Sequence, residues 1–394
     1  MDFSLTEEQK AIDSNVRRIC ARFDDSYWLE RDRLAEFPHA FREAMVSGGW
    51  LGIAMPEAFG GAGLGVTDAA ILMHAVANCA GAMSAASAIH INIFGPQPIV
   101  VHGTDDQRRR WLAPLIEGRD VVCFGVTEPD AGLDTRRIQT RARRRGDGYV
   151  ISGRKLWTST AQIAKKILLL ARVTPESVNG DVADDTLRGD GLTLFYTDLD
   201  RDRIEMREIP KMGRAAVDSN ALFIDELHVP VADRIGEEGQ GFRYLLDGLN
   251  PERILIAAEA IAIGRHALER ASRYATERVV FGRPIGRNQG IQHPLARCWM
   301  ELEAAWLMTL RAAWAYDRGE PCGIEANSAK YLAAEAAFRA CERAVMTHGG
   351  MGYAKEYHVE RLLREVMIAR IAPVSPELIL CYIAERALGL PRSY

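Results

Sequence analysis

The chain changes its hydrophobic period twice. From Thr6 to about Arg119, and again from Glu238 onward, apolar residues recur at helical spacing. Between Val121 and Val231 they come in short runs broken by turn residues. The pattern predicts three regions: helical over 1–120, strand-rich over 121–232 and helical over 233–394. In the first, Ser4 or Thr6 can cap a helix reaching about Phe23. Glu7 and Glu8 fall in its first turn, where the helix dipole favours anions. Further helices are expected over Pro38–Ser47, Val66–Ala80, Ala82–Val101 and Asp105–Glu117. The glycine-punctuated stretch Trp50–Gly63 reads either as a plain turn or as a loop beside a pocket.

In the middle region the apolar runs are Val121–Phe124, Tyr149–Ile151, Ile167–Leu170, Leu192–Tyr196 and Ala221–Ile224, with Gly146-Asp147-Gly148 as a hairpin turn. No helical pattern separates them, so a mostly antiparallel sheet or barrel is expected. Val173–Gly191 is polar and acidic and reads as an exposed excursion. Arg136, Arg137, Arg141, Arg143, Arg144 and Arg145 form a basic cluster. It suits either a solvated strand edge or a phosphate or partner contact. The last region predicts long helices over Gly241–Glu277, Gln289–Arg318 and Ile324–Gly349. Shorter ones follow over Glu356–Ile368 and Pro376–Leu388, and helices of this kind pack as a bundle. The fold class is therefore α+β and mostly α.

Composition narrows the function more than the fold. A length of 394 residues suits two or three domains, and a net charge of -4 argues against a general nucleic-acid binder. Seven cysteines stand singly with no CxxC pair, which fits free thiols in a reducing compartment better than disulfides or a zinc knuckle. The first residues are polar and acidic, unlike a signal peptide, and no run approaches the ~18 apolar residues of a membrane helix. The expectation is a cytoplasmic protein bound neither to membrane nor to nucleic acid.

A P-loop, a GxSxG elbow, an HExxH helix and a Rossmann fingerprint are all missing from the sequence. That argues against a nicotinamide enzyme, a serine hydrolase or a zinc protease. Two other places can carry chemistry. Phe124–Gly132 and Lys155–Ser159 lie in the strand-rich third and read together as a cofactor wall. Asn250-Pro251-Glu252-Arg253 reads as a helix start, with Asn250 as N-cap and Pro251 in the first position. Glu252 would then steady a helix N-terminus by ~0.3–1 kcal/mol. Gly349-Gly350-Met351-Gly352 ends a helix and frees N–H groups for an anion or a close contact, after a packing His348. Arg278 and Arg283 flank the turn at Phe281-Gly282.

These residues match a family. Phe124–Gly132, Lys155–Ser159, Lys211-Met212-Gly213, Gly236–Phe242, Arg278–Gly282 with Gln289, and Gly349–Tyr353 occur in the order and spacing of the acyl-CoA dehydrogenases, so the chain resembles that family over essentially its whole length. The resemblance implies an N-terminal helical domain, a middle β-barrel domain and a C-terminal four-helix bundle, assembled as a homotetramer. It implies FAD, with Phe124, Val126, Thr127 and Gly132 along the flavin and Trp157, Thr158 and Ser159 closing its other side. Arg278, Phe281 and Gln289, with Gly350 nearby, would hold the pyrophosphate and adenine across a subunit interface.

The implied reaction is α,β-desaturation of an acyl-CoA in fatty acid metabolism. A carboxylate removes the α-proton, hydride leaves Cβ for the flavin, and an electron-transfer flavoprotein takes the electrons. Many members carry the base in a Glu-Gly-Thr segment; here Pro373 stands at that position. Others carry it in a Leu-x-x-Glu-Arg pattern on the long helix, which Leu249-Asn250-Pro251-Glu252-Arg253 matches. The resemblance thus makes Glu252 the base and places Arg253 beside the substrate. Burial would then have to outweigh the helix dipole to raise the carboxyl's pKa.

Three departures accompany this. Pro373 has no N–H to offer the thioester oxygen. Leu133 replaces a serine, and Met346 replaces a glutamine that usually contacts the adenosine end. Elimination from a substituted acyl-CoA, enoyl-CoA reduction and a silent FAD- or acyl-CoA-binding protein are the alternatives.

Overall fold

Thr6 opens the first helix with a capping box. Its hydroxyl accepts from the Gln9 N–H at 3.2 Å, and the Gln9 side chain accepts from the Thr6 N–H at 3.1 Å. Helix α1 (Glu7–Cys20) turns Ile12, Val16 and Cys20 into the core. The next helix, α2 (Asp25–Leu34), was not among the expected elements. It buries a single residue, Trp28, and so carries no apolar stripe. Helices α3 (His39–Ser47), α4 (Val66–Ala77) and α5 (Ala82–Phe94) follow. The single helix expected over Ala82–Val101 is broken at Gly95-Pro96, and α6 (Gln97–His102) and α7 (Asp105–Ile116) complete the N-terminal helical domain. The computed structural model describes residues 4–174 and 191–393. Of the excursion expected over Val173–Gly191, positions 175–190 lie outside the described residues.

The middle domain is a sheet of β1 (Val122–Gly125), β2 (Arg141–Arg145), β3 (Gly148–Ser159), β4 (Lys166–Thr174), β5 (Leu192–Asp198), β6 (Ile204–Glu208), β7 (Ser219–Pro230) and β8 (Arg234–Ile235). Its order is β6-β7-β3-β2-β4-β5-β8, with β1 pairing β4. Pairing is antiparallel except for β1 and β2 against β4. Strand β2 lies between β3 and β4 over Arg141–Arg143, pairs with β3 to Arg145, and exposes Arg143, Arg144 and Arg145 to solvent. Arg144 meets Glu238 at 2.7 Å and Arg143 meets Glu226 at 3.7 Å.

The C-terminal domain is built on α8 (Gly241–Glu277), α9 (Gln289–Asp317), α10 (Gly323–His348) and α11 (Val359–Ile371), with α12 (Pro376–Arg386) after them. Helix α8 runs through Pro251 without a break, so the expected restart at Asn250 does not occur. Asn250 accepts instead from Arg253 Nη1 at 3.1 Å. Helices α8 and α10 run side by side in one direction. A Cβ at Gly264 would come within 3.1 Å of the Ala337 Cα, and Tyr274 stacks on His348 at 4.3 Å near both C-terminal ends. After α8 and its C-cap Arg278 comes a small hairpin, β9 (Val279–Val280) with β10 (Arg283–Pro284). One hydrophobic core joins α1, α3, α4 and α5 to α8–α11, which fixes α5 against α8. Among the described residues no single helix is long and apolar enough to cross a membrane.

Candidate active site

The two stretches that read as a cofactor wall meet in the fold. The Leu156 N–H donates to the Thr127 carbonyl at 2.9 Å, joining β3 to the segment that follows β1. Behind this contact lies a buried ion pair. Lys155 Nζ reaches Glu128 Oε1 at 2.9 Å and the Val126 carbonyl at 3.1 Å, while Glu128 also accepts from the Gln139 and Thr140 N–H groups. Burial pushes the Lys155 ammonium down to about 8, against the pull of Glu128. Burial also acts to raise the Glu128 carboxyl, but Lys155 and the hydrogen bonds outweigh it and hold it low, so both remain charged at neutral pH. The pair fixes the backbone on which Phe124, Val126 and Thr127 sit.

Trp157 stands half-exposed at φ 61° and Ser159 is partly buried beside it. Thr158 is fully buried, and its hydroxyl has no hydrogen-bond partner among the described residues. A Cβ at Gly132 would meet nothing within 4 Å. An unmet buried hydroxyl, an aromatic face and open space beside glycine together suit a planar heterocycle with few polar groups. The expected flavin residues of this stretch therefore fit FAD.

Glu252 is half-buried on α8 and, among the described residues, no group hydrogen-bonds its carboxylate. Because α8 is continuous, Glu252 lies well inside the helix rather than in a first turn, and the dipole that would lower its pKa does not act on it. Burial pushes the carboxyl up to about 7, with His90 and Arg253 opposing and Glu259 assisting. Arg253 is adjacent, its Nε buried without a hydrogen-bond partner among the described residues. Pro373 belongs to the same neighbourhood. Lys330, 1% exposed on α10, donates to the Val374 carbonyl at 2.5 Å, and its charge acts on Glu252. Burial and Arg253 hold the Lys330 ammonium down to about 8. One buried cation thus touches the segment at Pro373 and acts on the helix that carries Glu252.

The remaining expected cofactor residues collect elsewhere. Arg278 caps α8 roughly 26 residues beyond Glu252, about 39 Å of helix at 1.5 Å per residue. Phe281 is fully exposed at the tip of the β9–β10 hairpin, Gln289 opens α9, and Gly350 follows α10 at the end where His348 packs on Tyr274. These four share one end of the bundle, far from the Glu252 of their own chain.

Sequence reasoning missed several charged groups of the site. Apart from the Lys155–Glu128 pair and Lys330, they are His90 and Glu259, whose Nδ1 and Oε1 lie 2.5 Å apart, and Arg214, which donates to Ser87 Oγ at 3.0 Å. For two of them a signal was faint but present: Glu259 and His90 are each a lone ionisable residue in a mostly apolar stretch.

Comparison with known proteins gives this geometry a context. The family models for the acyl-CoA dehydrogenase N-terminal, middle and C-terminal domains match residues 6–119, 123–227 and 239–388. Acyl-CoA dehydrogenase FadE12 of Mycobacterium tuberculosis is 36% identical over 398 residues, covering 100% of this chain and 99% of that protein. A 3-(aryl)acrylate reductase of Clostridium sporogenes is 32% identical, covering 98% and 99%. The solved structure of butyryl-CoA dehydrogenase from Megasphaera elsdenii superimposes with a TM-score of 0.91 at 28% identity, covering 99% of this chain and 100% of that one. The chain belongs to the acyl-CoA dehydrogenase family of FAD-dependent oxidoreductases.

Proposed function

We propose that the protein desaturates an acyl-CoA thioester between Cα and Cβ, with Glu252 as the base. The observation that carries this reading is the Glu252 carboxyl, raised to about 7 by burial and left without a hydrogen-bond partner among the described residues. Such a group is charged often enough at neutral pH to take a proton, and basic enough to want one. Bound FAD supplies the acceptor for the hydride that leaves Cβ.

The chain's residues do the rest. Phe124, Val126, Thr127 and Gly132 line one side of the cofactor, and Trp157, Thr158 and Ser159 the other. Arg253, with an unpartnered Nε, faces the substrate. Arg278, Phe281, Gln289 and Gly350 of a second subunit hold the pyrophosphate and adenine, which calls for an oligomer, read here as a homotetramer. Guanidinium and free N–H groups suit the diphosphate charge. An electron-transfer flavoprotein is the proposed electron acceptor and fatty acid metabolism the proposed setting.

Purified yellow protein, mixed anaerobically with acyl-CoAs of varied length and branching, should lose its flavin colour with at least one of them. Colourless protein unable to take up FAD would overturn the reading in favour of a silent scaffold. A second reading has its own support. Pro373 removes an N–H from the thioester-oxygen site, and one relative is named a 3-(aryl)acrylate reductase. A carboxyl near 7 can also deliver a proton to Cα, so reduction of a conjugated acyl group uses the same residues in reverse. Reoxidation of chemically reduced protein by an enoyl-CoA, faster than reduction by the saturated partner, would favour it.

A further inference from the structure

Two of the seven cysteines share one solvent cleft. Helix α1 ends at Cys20, and Cys79 stands in the connection between α4 and α5. The cleft measures about 370 Å³, and Arg17, Cys20, Cys79 and Arg270 line it, with Asp25 paired to Arg270. A polar clamp beside it joins α1 to the end of α4. With its amide oxygen towards the guanidinium, Asn78 accepts from Arg17 Nη1 and Nη2, each at 3.2 Å. Arg17 precedes Cys20 by about one helical turn, and Asn78 directly precedes Cys79. The clamp thus holds the two thiols on facing sides of one contact, where their side chains interact directly.

The two thiols are not equivalent. Cys20 is buried, 2% exposed, whereas Cys79 is partly exposed. As a thiol, Cys79 donates to the Val76 carbonyl at 2.9 Å, and its sulfur accepts from the Gly81 N–H at 3.3 Å. The Cys20 thiol and the N–H groups of Gly81 and Ala82 hold Cys79 below the usual thiol pKa, with help from the Arg361 charge and against the effect of burial. Cys79 and burial push Cys20 the other way. Donors aimed at a sulfur favour its thiolate, and the thiolate is the nucleophile. Packing accounts for a buried thiol, but not for a second one beside it that opens on a cleft under an N–H donor. Cys79 is therefore placed to react first and Cys20 to follow.

We propose that Cys79 and Cys20 form a peroxide-reactive dithiol site, in which Cys79 is oxidised from the cleft and Cys20 captures it as a reversible disulfide. The Cys79 sulfur attacks hydrogen peroxide. An S–O bond forms, the O–O bond breaks, and the second peroxide oxygen leaves as water with the thiol proton. The sulfur loses two electrons and the peroxide gains them. Cys20 then attacks the sulfenic sulfur: the S–S bond forms, the S–O bond breaks, and the hydroxyl leaves as water with the Cys20 proton. A small dithiol reverses the step by returning two electrons and two protons. The bond ties the end of α1 to the connection that leads into α5, whose Ala80 carbonyl accepts from Arg361. Transient disulfides of this kind serve redox sensing.

The test treats the FAD-loaded protein with stoichiometric hydrogen peroxide, blocks the remaining thiols and maps the peptides by mass. A Cys20–Cys79 link should appear, with a loss of about 2 Da from the chain, and dithiothreitol should reverse it. Cys298 and Cys341 also feel one another's charge, but both are buried and both thiols are pushed up, so they should stay reduced. In Cys20→Ser, Cys79 should instead gain about 16 Da and be trapped by a 1,3-dione reagent that captures sulfenic acids. In Cys79→Ser, Cys20 should remain unoxidised. A disulfide between other cysteines or between two chains, or peroxide treatment that leaves Cys79 unreacted, would overturn the proposal. Oxidation of Cys20 in Cys79→Ser at the parental rate would overturn the order of attack. Mapping of the unaltered protein decides the matter even where a serine variant fails to fold.

Discussion

Replacing Glu252 by glutamine tests the base assignment through stability as well as turnover. The carboxyl titrates near 4.5 in an unfolded chain and at about 7 in the folded one, because burial disfavours its charge. Between those values the native state holds the proton more tightly than the unfolded state, so stability falls as pH rises from 4.5 to 7. At about 1.4 kcal/mol per pH unit, the charged carboxylate costs the fold roughly 3 kcal/mol above pH 7, and nothing below pH 4.5. Glutamine keeps the shape and removes the charge. Glu252→Gln should therefore melt higher than the parent at pH 8, both saturated with FAD, and the gap should close as pH falls towards 4.5. The same variant should retain FAD and lose about 10²–10⁴-fold in the rate of flavin reduction by acyl-CoA. In the parent, kcat/KM should rise with unit slope up to about pH 7 and then level off. Flavin reduction at the parental rate in the variant would refute the base assignment. Melting curves offset equally at pH 5 and pH 8 would refute the burial argument behind it.

The cofactor site should be shared between subunits, since Arg278 and Glu252 of one chain stand about 39 Å apart along α8. Arg278→Ala and Glu252→Gln, each inactive alone, should regain activity when co-expressed, because one site in a mixed oligomer is then intact; no recovery would mean that each chain builds its own site. Lys155→Met leaves Glu128 charged and buried without its ammonium partner, and should destabilise the protein by about 3–5 kcal/mol with loss of flavin, read by denaturant unfolding and by absorbance. Thr158→Val removes the unpartnered hydroxyl and should weaken FAD retention on dialysis without lowering the melting temperature of the FAD-free protein. Adding Pro373→Glu to Glu252→Gln should restore at least part of the flavin reduction lost in the single variant, because Lys330 binds the carbonyl next to position 373 and also acts on Glu252; no gain over Glu252→Gln would separate the two positions.

What could be read from the residues, and what could not, follows from which interactions are local. The long C-terminal helices and the β-branched runs announce themselves by period, and the wall Phe124–Gly132 with Lys155–Ser159 by its motif. Asn250-Pro251 misled because its local chemistry is that of a helix start; packing of α8 against α5 and α10 carries the helix through the proline. Helix α2 escaped because Asp25–Leu34 buries only Trp28. Strand β2 could be read only as a solvated strand edge, because Arg141–Arg145 has no apolar alternation beyond the buried Ala142. The charged partners were out of reach for a different reason. His90 meets Glu259 across 169 positions of sequence, and Lys330 meets Val374 across 44, distances over which no periodicity speaks.

Lys330 also gives a physical reason why a proline can stand at position 373, where the family resemblance leads one to expect a base. The ammonium binds the carbonyl next to Pro373, and its charge reaches Glu252, so a carboxylate at either position would draw on the same buried cation. Two carboxylates so placed cannot both ionise; one takes up a proton near neutral pH and ceases to be a base. Glu259 already pushes in that direction from two turns away, with His90 close enough to offset it. A further carboxylate at 373 would have only Lys330 and Arg253 to balance it, both themselves held low by burial. On the proposed assignment, Glu252 can act as the base because position 373 carries no charge, and the cations around it compensate one carboxylate rather than two.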